Sequence, residues 1–402
     1  MRTAAQTPTW TAEEIARMRA ETPGASRRIH LDNAGSALMP EAVVRRIRDH
    51  LALEAEVGGY VAEERVTAER EAVRAAVAEL IRAPAPEEVA FLANASDGLG
   101  RLIASVPLAP GRTIATGYHE YVGNLLTIAA RCRRAGTEPL VIPDRGDGRL
   151  DLDRLQRWIA DGRVGLIVLS HIASSSGIVH DLAAVGRLAA AAGIPFLVDA
   201  AQSCGQVPVE VGAMGCDMLV GTARKFLRGP RGVGFLWVAG ARLRALEPCY
   251  LVNNSGGIGP DGAPHLRTDA GVFEAWEKNV AALLGFGAAL AERKRWGPAR
   301  IMARIADLAA LLRRELAALE DVQLVDAGAA EGAIVVFRHA RLSPEEIKRR
   351  LEARDIAVQV SRALHTPFDL GRRGIEAAVR VSPHAYNTED EIARFISALK
   401  AL

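Results

Sequence analysis

GTARKFLRGPRGVGF, residues 221–235, is the stretch on which the reading of this chain turns. The chain has 50 basic residues, of which five are lysines: Lys225, Lys278, Lys294, Lys348 and Lys400. Arginine therefore supplies most of its positive charge. Four of the lysines sit in polar segments with helical spacing. Lys225 instead follows the apolar run Met218-Leu219-Val220 and precedes a Gly/Pro-rich turn. A lysine, unlike an arginine, can lose its proton and attack a carbonyl when it is desolvated or placed beside other cations. Arg224 and Arg228 are such neighbours. The stretch predicts a reactive amine just past the end of a buried strand.

On either side of this stretch, short apolar runs alternate with Ala/Leu/Arg-rich segments of helical spacing. Strands are expected at 88–93, 113–116, 139–142, 165–170, 194–199, 217–220 and 232–238, with helices at 121–135, 151–160 and 181–192 between them. Near-continuous apolar strands joined through helices predict an α/β fold with a mainly parallel sheet covered on both faces. Residues 249–271, rich in Gly and Asn, break the pattern and read as a long loop. Two long helical patterns follow, 274–295 and 298–319. Beyond them lie strand 333–337, helix 344–353, strands 356–360 and 377–381, and a final helix. Ser343-Pro344-Glu345-Glu346 and Thr388-Glu389-Asp390-Glu391 both carry capping-box signals for helix starts. This last part reads as a second, smaller α+β domain.

Composition narrows the function classes. At 402 residues, 49% hydrophobic and with a net charge of +2, the chain is expected to fold as a soluble protein larger than one small core. Its 48 acidic residues are interleaved with the basic ones, which argues against a nucleic-acid partner. No apolar run reaches membrane-spanning length, and the first twenty residues carry charges where a secretion signal needs an apolar core. The four cysteines form no CxxC pair or disulfide framework, and the nine histidines form no metal-ligand spacing. A cytoplasmic protein without a metal is expected.

The chemistry is sought near Lys225. Strand 194–199 ends in Asp199, on the side of an open α/β sheet where ligands bind. Taken alone, Asp199 reads as the cap of the next helix. Beside a reactive lysine, it becomes one half of what pyridoxal phosphate (PLP) requires: an amine for a Schiff base and an acid for the ring nitrogen. The cofactor's phosphate needs a helix start, hydroxyls and a cation. Asn94-Ala95-Ser96-Asp97-Gly98 offers the helix start, and Thr222 and Arg224 add the hydroxyl and the guanidinium.

Five segments then resemble the class V aminotransferases, the cysteine desulfurase-like branch of the fold-type I PLP enzymes. They are DNAGSALMP (32–40), VDAAQ (198–202), TARK (222–225), GPRGVGFLWV (229–238) and RVSPHAYNTEDEI (380–392), in the family's order and spacing. The resemblance implies a large PLP-binding domain with a mainly parallel seven-stranded sheet over 31–272 and a small domain over 273–402. Residues 1–30 are expected to pack with the small domain. It further implies that Lys225 forms the Schiff base, Asp199 pairs with the pyridine nitrogen, and Gln202 contacts the phenolic oxygen. Ala95, Ser96, Thr222 and Arg224 would bind phosphate. Arg380 would bind the substrate α-carboxylate, with Asn33 and Ser175 beside the substrate. Ser175 belongs to the run 174–176, whose inward-facing member the sequence does not identify. A homodimer with shared sites is implied, with NNSGG at 253–257 reaching the partner.

Two departures matter. The desulfurases keep a mobile cysteine in the segment that here reads IAVQVSRALHTP (356–367), and its place falls on Leu364. None of the four cysteines lies beyond residue 249. Cys204 is the nearest rival nucleophile in sequence. The paired histidine of the desulfurases is replaced by His119-Glu120-Tyr121, which puts Tyr121 over the ring or beside it as a proton donor. Its alternative is half-buried helix packing. ARKFLRGPRGVGF, FEAWEKNVAALLGFGAA (273–289) and VSPHAYNTEDEI resemble most the hercynylcysteine sulfoxide lyase-like carbon–sulfur lyases. The expected reaction is β-elimination from a cysteine conjugate or its S-oxide, giving pyruvate, ammonia and a sulfur product. Epimerisation or transamination by the same parts is the alternative, with desulfuration or a non-catalytic PLP-binding role behind them.

Overall fold

The computed structural model describes residues 10–325 and 331–402. Its large sheet has seven strands in the spatial order Val89–Leu92, Gly234–Val238, Met218–Thr222, Phe196–Asp199, Val164–Ser170, Thr113–Gly117 and Leu140–Ile142. Gly234–Val238 runs antiparallel to both neighbours, and every other pairing is parallel. These are the seven strands expected from the apolar runs. Side chains alternate across a strand, and here the alternation feeds two cores. Phe196, Val198, Leu219, Phe235 and Trp237 enter one. Leu197, Met218, Val220, Leu236 and Val238 enter the other. Both faces are covered, which is why the strands read as continuous apolar runs.

Side chains that cap the crossover helices fix where each strand hands over. Asn94 accepts from Asp97 N at 3.0 Å to open Ala95–Ser105. Asp151 and Asp181 likewise cap Leu152–Ala160 and Leu182–Ala191. The parallel strands therefore all point their carboxyl ends, and the loops with the candidate residues, to one edge.

The C-terminal unit has a four-stranded antiparallel sheet in the order Val322–Leu324, Val335–His339, Ala377–Val381, Gln359–Arg362. Its core includes Ile305, Leu312, Phe337, Val379 and Phe395, joined by Met18, Ala25, Ile29 and Leu31. Ile29–His30 also pairs in parallel with Ile356–Ala357. Residues 1–9 of the expected 1–30 segment lie outside the described residues.

Three boundaries differ from expectation. The helical pattern at 274–295 forms a helix only from Val280 to Trp296, opened by the Asn279 side chain accepting from Ala282 N. Upstream, Glu274 is buried and takes Arg74 at 2.8 Å, Lys278 at 3.1 Å and Phe91 N at 3.0 Å, which holds the chain extended against the sheet. This helix supplies Ala282, Leu283, Phe286 and Ala289 to a core of the large sheet. The expected strand 356–360 is split, because Ile356–Ala357 serves the N-terminal segment and Gln359–Arg362 serves Ala377–Val381. The loop 249–271 contains an exposed hairpin, Gly256–Ile258 with Pro264–Leu266.

Candidate active site

Between the carboxyl edge of the large sheet and the C-terminal unit lies a cleft of about 1110 Å³. Lys225 lies in its wall, in the turn after Met218–Thr222. Burial holds its ammonium down to a pKa of about 7. Asp199 and Asp32 oppose the shift, while Arg224 and Arg380 add to it. Arg228, expected as a neighbouring cation, faces elsewhere. It donates to Leu38 O at 3.0 Å and Thr22 Oγ1 at 2.6 Å, and lies over the Tyr386 ring. It anchors the turn and leaves the amine to Arg224 and Arg380.

Asp199 ends the strand beside that of Lys225 and lines the same cleft. Its Oδ1 accepts from Ala201 N and its Oδ2 from Asn124 Nδ2, both at 2.8 Å. Gln202 follows on the turn. Its Nε2 donates to Ala34 O at 3.2 Å, and its buried Oε1 has no partner. A buried amide left half-satisfied at a cleft wall calls for a polar group in the cleft. Ala95 and Ser96 present the N-terminus of Ala95–Ser105 to the cleft, with Thr222 and Arg224 beside them. Gly234 permits this corner, since a Cβ there would sit 2.5 Å from Asn94 C. The Arg224 guanidinium donates to Gly35 O. These residues have the chemistry that PLP demands: an amine of depressed pKa, an acid at a strand end, an unpaired amide, and a helix start with a hydroxyl and a cation.

Across the cleft, Arg380 pairs with Asp32 at 3.1 Å and donates to Ser174 O at 3.4 Å, and its Nε has no partner. Ser174 and Ser175 line the cleft. The Ser175 hydroxyl is already committed to Asp369 at 2.9 Å. Asn33 does not line the cleft. It is fully buried, donates to Ser382 O at 2.7 Å and His30 O at 3.2 Å, and accepts from the Tyr386 hydroxyl. Its amide fastens the N-terminal segment to the C-terminal unit, which corrects the expected substrate contact. Ala34 and Gly35 face the cleft in its stead.

Tyr121 is 41% exposed, lines the cleft and opens helix Val122–Arg134. Next to it is a group that sequence reasoning passed over. Glu120 is buried and bonded to Asn124 and Ser170. The available signal was the i, i+4 spacing of Glu120 and Asn124 in HEYVGN. His119 lies buried behind, with Nε2 3.1 Å from Asp144. Burial holds His171 and His180 down to about 4 and about 3, so both are neutral near pH 7.

No cysteine lines the cleft. Cys204, the rival nucleophile, is buried on the far side of its turn, and burial pushes its thiol up to about 12. Leu364 is 72% exposed on the turn Ala363–His365, whose neighbours Arg362, His365 and Thr366 do line the cleft. Among the described residues no helix is long and apolar enough to cross a membrane. No group of three or more His, Cys, Asp or Glu among them could hold a metal ion.

The family model of the class V aminotransferases matches residues 29–395, and the chain belongs to that family. Its members depend on PLP, and this chain is a PLP-dependent enzyme of that kind. A probable hercynylcysteine sulfoxide lyase from Mycobacterium tuberculosis is 35% identical over 93% of this chain and 90% of that protein. A cysteine desulfurase from Klebsiella pneumoniae is 29% identical over 96% of this chain and 98% of its own length. The solved apo structure of the cysteine desulfurase from Thermococcus onnurineus superposes with a TM-score of 0.89 at 25% identity, covering 98% of this chain and 99% of that one.

Proposed function

We propose that this protein is a β-eliminating carbon–sulfur lyase acting on a cysteine conjugate or its S-oxide, releasing pyruvate, ammonia and a sulfur product. One observation carries the choice among the reactions of the family: the cleft holds no thiol. Desulfuration needs an accessible thiolate to take the substrate sulfur. By the resemblance in sequence the place of that cysteine falls on Leu364, and Cys204 is buried with a raised pKa. The relative that is 35% identical is named a probable hercynylcysteine sulfoxide lyase, which supports the same reading.

Bound PLP supplies a carbonyl for the substrate amine and a ring that withdraws electrons from Cα. The chain's own residues do the rest. Lys225, with a pKa near 7, has a neutral amine available to take the Cα proton at ordinary pH. Asp199 would hold its carboxylate to the ring nitrogen, and Gln202 would hold the ring's phenolic oxygen through the NH2 end of its amide. Ala95, Ser96, Thr222 and Arg224 take the phosphate. Arg380 exchanges Asp32 for the substrate carboxylate, which presents a planar bidentate acceptor. Tyr121, exposed to the cleft, gives its phenolic proton to the departing sulfur. Ser175, tied to Asp369, shapes the wall on the substrate side.

The exposed hairpin Gly256–Leu266 suits a homodimer in which it reaches the partner's cleft. Four cysteines without a disulfide among them suit the cytoplasm. The test is to incubate the holoenzyme with S-substituted cysteines and their S-oxides. Pyruvate and a released thiol or sulfenate are expected, with S-oxides faster because sulfenate leaves more readily. A protein-bound persulfide formed from cysteine, without pyruvate, would place this chain with the desulfurases.

A further inference from the structure

Glu120 has no part in the chemistry above, yet it is bonded on both oxygens in a site where it is 1% exposed. Its Oε1 accepts from Asn124 Nδ2 at 2.8 Å, from Tyr121 N at 3.0 Å and from the Ser170 hydroxyl. Its Oε2 accepts from Ser170 N at 2.9 Å. Asn124, also 1% exposed, sends its other amide hydrogen to Asp199 Oδ2 at 2.8 Å. One amide nitrogen thus bridges two carboxyl groups. Its orientation is forced: turned over, the Asn124 oxygen would face acceptors on both sides. Burial raises the Glu120 pKa and nearby Asp199 raises it further, while the bonds from Ser170 and Asn124 pull it down.

Asp199 can serve the ring nitrogen only if its carboxylate is held at one angle and keeps its charge. Ala201 N fixes one oxygen from the turn. The other is fixed by a side chain that would swing free without Glu120. We propose that Glu120 is a positioning residue for the cofactor: by holding the Asn124 amide, it sets the orientation of Asp199 and with it the strength of the contact to the pyridine nitrogen. The chain is Glu120, Asn124, Asp199, ring. It starts from a carboxyl on the loop before Val122–Arg134 and ends on the strand Phe196–Asp199. The inference rests on Asp199 facing the cofactor and not on which bond the enzyme breaks.

Glu120→Gln keeps the shape of the side chain but cannot keep the bonds. Its NH2 must face either Ser170 N–H or the Asn124 and Tyr121 donors, a donor–donor conflict in both orientations. The experiment is a cycle of wild type, Glu120→Gln, Asp199→Asn and the double variant. Each is stripped of cofactor and titrated with PLP, and the visible absorption of the bound form is recorded. Glu120→Gln in the wild-type background is expected to raise the Kd roughly tenfold or more and to shift the band, a coupling of ordinary size for a bridged pair. In the Asp199→Asn background the same change should alter the Kd less than about twofold, with no band shift. Equal loss in both backgrounds, or no loss in either, overturns the proposal. If Glu120→Gln does not fold by thermal melting, Asn124→Ala replaces it in the same cycle with the same expected pattern. Asp199→Asn without effect on affinity or spectrum would remove the footing on Asp199, and the proposal with it. None of these readouts needs turnover, so a failed substrate panel bears on the lyase reading and leaves this one standing.

Discussion

At Lys225 two effects favour the neutral amine: water is excluded, and Arg224 and Arg380 lie close. Lys225→Ala and Lys225→Arg should both lose covalently held cofactor and at least about a thousandfold in turnover. The arginine variant fails despite its length because a guanidinium stays protonated. Retained activity in either would move the reactive amine elsewhere. The same shift has a consequence for stability. In the cofactor-free protein the native chain binds fewer protons than the unfolded one between about pH 7 and the ordinary lysine value of 10.5. Stability should therefore rise with pH across that window, since the unfolded state there holds the extra proton. Lys225→Met abolishes the effect. In urea titrations the variant should be more stable than wild type below pH 7, and its advantage should shrink as the pH climbs toward 10.5. An advantage that does not change with pH would mean that Lys225 keeps an ordinary pKa. Lys225 and Asp199 were legible because each is a reactive group abutting an apolar run. Asn33 was misjudged because a polar residue in a motif looks the same whether it faces a ligand or three internal partners.

Elements set these residues in register. Helix Ala95–Ser105 can approach the sheet because Gly234 has no side chain. Gly234→Val should push strand Gly234–Val238 off that helix start and weaken PLP binding by roughly tenfold, while the protein still folds, since overpacking costs about 1–3 kcal/mol. Unchanged affinity in an equilibrium titration would show that the helix start does not meet the phosphate. Glu274 ties the segment before Val280–Trp296 to the edge strand Val89–Leu92 through Arg74 and Phe91 N. Glu274→Ala leaves Arg74 without its buried partner and should cost about 3–5 kcal/mol in chemical denaturation. A loss under about 1 kcal/mol would mark the pair as an ordinary surface bridge. Helical periodicity reached back to residue 274 because apolar spacing does not register that a carboxylate will be captured by another element.

Across the whole molecule, the cleft is built from both units but is closed by neither hairpin strand of its own chain. A homodimer is expected in sedimentation, with the hairpin Gly256–Leu266 of one chain at the partner's cleft. Mixing Lys225→Ala chains with chains whose residues 257–265 are replaced by two glycines should restore activity that neither has alone. Each hybrid then has one site with both an amine and a hairpin. A mixture as inactive as its parents would separate the hairpin from catalysis.

The α/β architecture, the seven strands and the Lys225–Asp199 pair were already determined by local patterning. A strand buried on both faces must be apolar throughout, and a reactive group at its end is conspicuous for that reason. Tertiary packing alone decided the rest. It turned Asn33 inward, closed Cys204 off from the cleft, split the strand at Val358, and joined Glu120 to Asp199 through Asn124. Those outcomes depend on which polar groups find partners far along the chain. Hydrogen-bond satisfaction in a folded interior is a property of neighbours in space, and the loop carrying residue 120 meets the strand end at residue 199 only when Thr113–Gly117 and Phe196–Asp199 lie in one sheet.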